Sequence, residues 1–227
     1  MSHALASGLC YIGDSQSASK AALFDTLQSK LSSHLDVVSG RAVCGAPIAG
    51  YLGHNQLGCR YKGVTHLEIE KSAASFVSNS GRTDDIGQIC AKTDGVIVQL
   101  GDNNLGNPKM AGADAARLVR KVNSMGQRCV WIGPASIGTA RCSQKRKEKG
   151  EVSSAIRQAI EPLGCKFVDS FALTDGHPLQ SRDPMCIHYP GLYLQWAAAI
   201  EPSLKSALEL TKNSEPEARE STRRSAQ

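Results

Sequence analysis

Apolar positions along the chain fall into short unbroken runs, separated by longer stretches with helical spacing. Residues 8–13, 35–43, 94–101, 128–134 and 166–169 are runs of strand length, rich in apolar and β-branched side chains, and several end in Gly. Between them, residues 17–31 carry Ala18, Ala21, Ala22, Leu23, Leu27 and Leu31 at the spacing of one helical face. Residues 111–125 do the same with Ala115, Leu118, Val119 and Val122. Helices are also predicted over 86–92, over 150–163, and over 190–210 with a kink or interruption at Pro202. Residues 45–60 are rich in Gly and turn formers and read as a loop, and the signal from 62 to 89 is mixed. Strands alternate with helices, and the strands are apolar throughout, as when both faces are covered. This predicts an α/β fold: a three-layer α/β/α sandwich around a central five-stranded parallel sheet.

Composition narrows the reading. With 227 residues, 41% of them apolar and 21% charged, the chain has material for a full core and is not disordered as a whole. No apolar run approaches the ~20 residues of a membrane span. The net charge of +5 is modest, and aromatics are only 5% and not interleaved with basic residues, so a nucleic-acid partner is not expected. The basic run over 141–149 reads as a solvated loop leading into a helix; the sharper alternative is a patch for a polyanionic surface such as a cell wall.

Eight cysteines without a C-x-x-C pair argue against a zinc ribbon or a thioredoxin-like site and suit an oxidising compartment. Cys10 and Cys129, inside strand-like runs, are expected as buried thiols. Cys44 with Cys59 is the first expected disulfide, and Cys142 with Cys186 a weaker second. Residues 1–7 read as an N-terminal extension or vector remnant, 8–211 as the folded domain, and 212–227 as a disordered polar tail. Export, to the periplasm or outside the cell, with the leader already removed is the expectation, beside a cytoplasmic alternative.

In a parallel sheet of this kind ligands sit at the carboxyl ends of the strands. The first strand ends in Gly13-Asp14-Ser15, where a serine hydroxyl can face the crevice or simply cap a helix. The second is followed by Gly45, and the third by Gly101-Asp102-Asn103-Asn104, where an amide is either an oxyanion donor or part of an ordinary turn. His188 precedes the last helix, placed to accept a proton from a serine hydroxyl.

Taken in this order, Ser15, Gly45, Asn103 and His188 resemble the blocks of the SGNH (GDSL-like) hydrolase family, over about residues 8–210. The resemblance implies the family's flavodoxin-like fold, with Ser15 as nucleophile and His188 as its general base. It further implies an oxyanion hole from the backbone N–H groups of Ser15 and Gly45 and the side-chain amide of Asn103. Asp14, Gly13 and Gly101 would be structural. One position departs from the pattern: Met185 stands three residues before His188, where the family has Asp. Asp183, five residues before, is the first candidate to orient His188, with Asp175 as a substitute and a Ser–His dyad as a third arrangement. No metal or cofactor is implied. Asp14 and Asp102 lack an oxygen-rich ring, and His54 and Cys59 lack partners at zinc spacing.

The low aromatic content argues against a long acyl groove. The expected reaction is removal of a small acyl group, O-acetyl above all, from a carbohydrate or cell-wall polysaccharide such as peptidoglycan, with cell-wall contact through the basic run as the alternative to a solvated run. An O-acyltransferase on the same scaffold and a non-catalytic glycan-binding protein are the alternatives.

Overall fold

The structure is a computed structural model; it describes residues 8–32, 35–54, 59, 66–77 and 81–213, with side chains described as far as 209. The expectations for residues 1–7 and for most of the polar tail therefore lie outside the described residues.

Five strands form the parallel sheet: β1 (Leu9–Gly13), β2 (Val37–Ala42), β5 (Gly95–Gln99), β6 (Arg128–Ile132) and β7 (Lys166–Val168). Two more, β3 (His66–Glu70) and β4 (Ala73–Val77), form a hairpin that pairs antiparallel with β2, giving seven strands in the order β4-β3-β2-β1-β5-β6-β7. The predicted five-stranded sheet is thus extended by an edge hairpin. Its turn puts Lys71 and Ser72 at φ 50° and 66°. Consecutive left-handed residues make a primed hairpin turn, which usually shows as Asn-Gly or Gly-Gly. The Lys-Ser pair carries no such mark.

Side chains of the central strands alternate between two cores, as the period of two requires. Tyr11, Ile97, Val130 and Ile132 face α1 (Leu23–Lys30) and α6 (Tyr193–Asn213). Cys10, Ile12, Val96, Val98 and Trp131 face α3 (Pro108–Ser124) and α4 (Ser143–Ile160). Short helices α2 (Ile86–Ile89) and α5 (Ser170–Asp175) complete the layers. The α3/α4 contact is close because Gly112 has no side chain: a Cβ there would stand 2.9 Å from the Ala155 carbonyl oxygen. Among the described residues no helix is long and apolar enough to cross a membrane.

Three local expectations are corrected. Residues 17–22 form a turn and helix α1 starts only at Leu23. Ser17 is buried, with its hydroxyl hydrogen-bonded to Tyr11 Oη and Gln99 Oε1, and Ala21 is left-handed at φ 60°, so this stretch serves the turn after β1. Helix α4 starts at Ser143, so the basic run lies on its first two turns and the two residues just before them rather than in a loop. Cys10 and Cys129 are not thiols. Cys10 bonds to Cys90 and Cys129 to Cys165, tying β1 to the end of α2 and β6 to the residue before β7. The pairs Cys44–Cys59 and Cys142–Cys186 form as expected. Helix α6 runs through Pro202 and continues to Asn213.

Candidate active site

The site is assembled from the turns that follow β1, β2 and β5 and from the loop before α6. After β1 the chain reverses tightly. Asp14 is fully buried and serves as the hub of the turn: Oδ1 accepts from the Gln16 N–H (3.0 Å) and Gln99 Nε2 (3.2 Å), and Oδ2 accepts from Asn103 Nδ2 (3.3 Å). Burial, then the nearby Asp102 charge, push the Asp14 carboxyl up to about 8, while the Gln16 N–H, Gln99 and Lys149 oppose the rise. Gly13 leaves the space the turn needs, since a Cβ there would meet the Tyr11 ring at 3.0 Å and Ala42 Cβ at 3.1 Å. Ser15 is left partly exposed beside this buried hub.

The loop before α6 closes on itself. Ser181 Oγ donates to the His188 carbonyl and accepts from the Asp183 N–H at 3.1 Å. The Asp183 carboxylate then gathers the loop: Oδ1 accepts from the Met185 N–H (3.1 Å), and Oδ2 from the N–H groups of Ile187 (3.0 Å) and His188 (2.8 Å). The same Oδ2 lies 3.3 Å from His188 Nδ1, and His188 Nε2 lies 3.1 Å from Ser15 Oγ. Partial burial pushes the Asp183 carboxyl up, but the three N–H groups and His188 outweigh it and hold it below the usual carboxylate range. An ionised Asp183 selects the tautomer with the proton on Nδ1, leaving Nε2 to accept from the serine hydroxyl. The Cys142–Cys186 disulfide ties this loop to the residue before α4.

Asp183, rather than Asp175, therefore meets the imidazole. Asp175 is engaged by Arg146 and by Ser136 Oγ (2.8 Å), which together hold it below the ordinary carboxylate range against partial burial. Asn103 stands on the turn after Gly101, whose φ of 140° suits only glycine and whose Cβ would strike Pro134 Cγ at 2.9 Å. The Asn103 amide bridges to Asp14 Oδ2 (3.3 Å) and to the Ala46 carbonyl (3.2 Å), so it lies between Ser15's turn and Gly45's loop. Gly45 is left-handed at φ 74°, and a Cβ there would stand 3.0 Å from Cys59 Sγ, so the Cys44–Cys59 bridge packs directly against it. Exposed His54 sits at the end of a turn, and the described residues include no cluster of three potential metal ligands.

One residue of the site escaped sequence reasoning. Lys149 is 0% exposed and forms an ion pair with equally buried Asp102. Its ammonium lies 3.4 Å from the Ile187 carbonyl and 5.0 Å from the centre of the Tyr189 ring, so it touches both neighbours of His188. Gln16 Nε2 donates to the same Ile187 carbonyl at 3.0 Å. A signal existed: Lys149, Val152, Ser153, Ile156 and Ile160 share the buried face of α4. Starting that helix at Gly150 hides it.

Ser15 and His188 open onto a cleft of about 660 Å³ lined also by Lys20, Arg182, Asp183 and Tyr193. Solved structures share this architecture. A lipase/acylhydrolase from Enterococcus faecalis matches 88% of this chain and 96% of its own with a TM-score of 0.56 at 12% identity. TesA matches 88% and 99% with a TM-score of 0.59 at 16% identity. Axe2, an acetylxylan esterase from Geobacillus stearothermophilus solved as a catalytic mutant, matches 88% and 93% with a TM-score of 0.56 at 14% identity. The chain has the SGNH hydrolase fold. No protein-family model and no curated protein matches its sequence. Within the SGNH hydrolase fold, the Asp that meets His188 stands five residues before it rather than three, and the Asp183 side chain reaches back across its own loop to do so.

Proposed function

We propose that the chain is a serine esterase of the SGNH type that removes a small acyl group, O-acetyl in particular, from a carbohydrate ester. The observation that carries this reading is the continuous Asp183–His188–Ser15 contact, at 3.3 and 3.1 Å, opening on a cleft. Ser15 Oγ attacks the acyl carbon while its proton passes to His188 Nε2. Asp183 stabilises the imidazolium that forms. The oxyanion is received by the backbone N–H groups of Ser15 and Gly45 and by the Asn103 amide. That amide holds its two protein acceptors at 3.2–3.3 Å, long enough that a developing oxyanion competes well for it. Collapse of the adduct expels the alcohol, which takes the proton from Nε2 and leaves the acyl group on Oγ. Water then gives a proton to Nε2 and its oxygen to the acyl carbon, and Ser15 leaves with the proton returned.

A small acyl group suits the cleft, whose described walls carry Ser19, Lys20, Arg182 and Tyr193 beside the small apolar residues Ala21, Pro184 and Pro190, with no Leu, Ile, Val or Phe among them. The likeness to an acetylxylan esterase supports a carbohydrate ester, and the four disulfides support an exported protein. The test is release of 4-nitrophenol from the acetate and the octanoate, and of acetate from acetylated oligosaccharides, by wild type and Ser15→Ala. Turnover of acetyl esters that vanishes in the variant is expected. Preference for octanoate would move the substrate to lipid esters, and Ser15-independent turnover would remove the mechanism.

A further inference from the structure

The cations near the site divide into two groups. Four of the five cations of the basic run are ion-paired, Lys145 with Glu148 (2.7 Å), Arg146 with Asp175 (2.7 Å), Lys147 with Glu151 (3.8 Å) and Lys149 with Asp102, while the fifth, Arg141, donates to the Asp183 carbonyl at 3.1 Å. The run is therefore a poor patch for a polyanionic surface. Lys20 and Arg182, by contrast, are exposed, line the cleft beside Ser15 and His188, and form no ion pair among the described residues. Among the described residues the only carboxylate lining that cleft is Asp183, and its oxygens are occupied by three backbone N–H groups and the imidazole. Asp25, near Lys20, accepts from the Ala21 N–H at 2.9 Å.

The backbone under each cation is fixed relative to the reacting atoms. Lys20 sits in the turn that begins at Ser15, closed by Ala22 N–H to Ser19 O (3.1 Å) and Leu23 N–H to Gln16 O (2.8 Å). Arg182 lies between Ser181, which donates to the His188 carbonyl, and Asp183 itself. Two unneutralised donors are thus held at the mouth of the cleft, one on each segment that supplies a reacting side chain. Such a pair suits a carboxylate or phosphate, which a guanidinium can grip in bidentate fashion.

The geometry points to an anion subsite formed by Lys20 and Arg182, which selects acyl esters whose alcohol part carries a negative charge: an acetylated uronic acid or sugar phosphate rather than a neutral glycan. This deepens the esterase reading and rests on it. The experiment compares acetate release from an acetylated methyl uronoside with that from its uronamide, which has the same shape without the charge. A parallel arm compares an acetylated sugar phosphate with the unphosphorylated sugar. The expected result is a kcat/KM higher by about tenfold for at least one charged member over its neutral counterpart at low salt. The preference should fall below about twofold in 0.5 M NaCl and in Lys20→Ala/Arg182→Ala. The melting temperature of that double variant should match wild type, which shows that it folds. Equal rates on charged and neutral members in both arms, with Ser15-dependent hydrolysis of 4-nitrophenyl acetate intact, would overturn the subsite alone. A preference that survives the double variant would place the anion elsewhere and overturn it as well. Absence of Ser15-dependent turnover on every ester would defeat the esterase reading and the subsite with it.

Discussion

Two acid–base pairs meet the same short loop and differ in their access to water. Lys149 and Asp102 are both 0% exposed, and Lys149 contacts the Ile187 carbonyl and the Tyr189 ring. Asp183 and His188, one residue along, are 11% and 36% exposed by side chain and face the cleft. A buried pair contributes little net stability by existing, yet breaking it leaves an uncompensated charge in the core. A partly exposed ion pair contributes little to the fold through its charges alone; Asp183 gathers the loop through three backbone N–H groups, and in the proposed mechanism its charge serves the imidazolium. The two pairs therefore differ in role: Lys149 and Asp102 prop the loop from the core side, while Asp183 gathers it and turns His188 to the cleft.

The largest effect is expected of Asp183→Asn. It leaves most of the loop's hydrogen-bonding shape but removes the charge that selects the Nδ1–H tautomer, so kcat should fall by about 10⁴ with little change in melting temperature. A loss under tenfold in steady-state kinetics would show that a dyad suffices. Lys149→Met should behave in the opposite way, costing about 3–5 kcal/mol in denaturant unfolding because Asp102 is stranded. Lys149→Met combined with Asp102→Asn should recover much of that stability. A double variant no more stable than the single would mean that the cost is packing rather than charge. Next in size is Asn103→Ala, expected to lower kcat by about 10²–10³ while KM moves little; an unchanged kcat would take Asn103 out of the oxyanion hole.

The smallest effect concerns pH. Asp14's folded value, about 8, lies above its ordinary one, so its protonated form favours the folded state. That stability is fully present below the unfolded value near 4 and is lost as pH rises towards and through about 8. Asp14→Asn, which stays neutral, should therefore gain in melting temperature relative to wild type between pH 5 and 8, and the gap should stop widening above that. A gap that does not change with pH would show that Asp14 is ionised throughout.

Much of this was legible in the sequence, for identifiable reasons. The five parallel strands stand out because burial on both faces demands unbroken apolar runs, and glycines such as Gly13 and Gly101 mark where those runs must turn. The strand-end rule then gathers the segments after each strand and the loop before the last helix, and the resemblance to the SGNH pattern selects Ser15, Gly45, Asn103 and His188 within them. What escaped had no local signature. The β3–β4 hairpin turns through Lys71-Ser72, residues that seldom announce left-handed backbone. Cys10 and Cys129 look like ordinary strand residues, because their partners Cys90 and Cys165 lie in other segments and only the fold brings them near. Lys149 looked like the last charge of a solvated run, although its helical phase with Val152 and Ile156 already places it inward.

In the proposed mechanism Ser15 is a nucleophile activated by His188 and Asp183. The most direct measurement is reaction with diethyl 4-nitrophenyl phosphate, followed by mass mapping of the digested protein. In this reaction the serine oxygen displaces 4-nitrophenolate from phosphorus and keeps the diethylphosphoryl group. The account predicts a single adduct on the peptide containing Ser15, formed at least a hundredfold more slowly in Asp183→Asn. An adduct on another residue, or labelling of Ser15 at the same rate in both proteins, would contradict it.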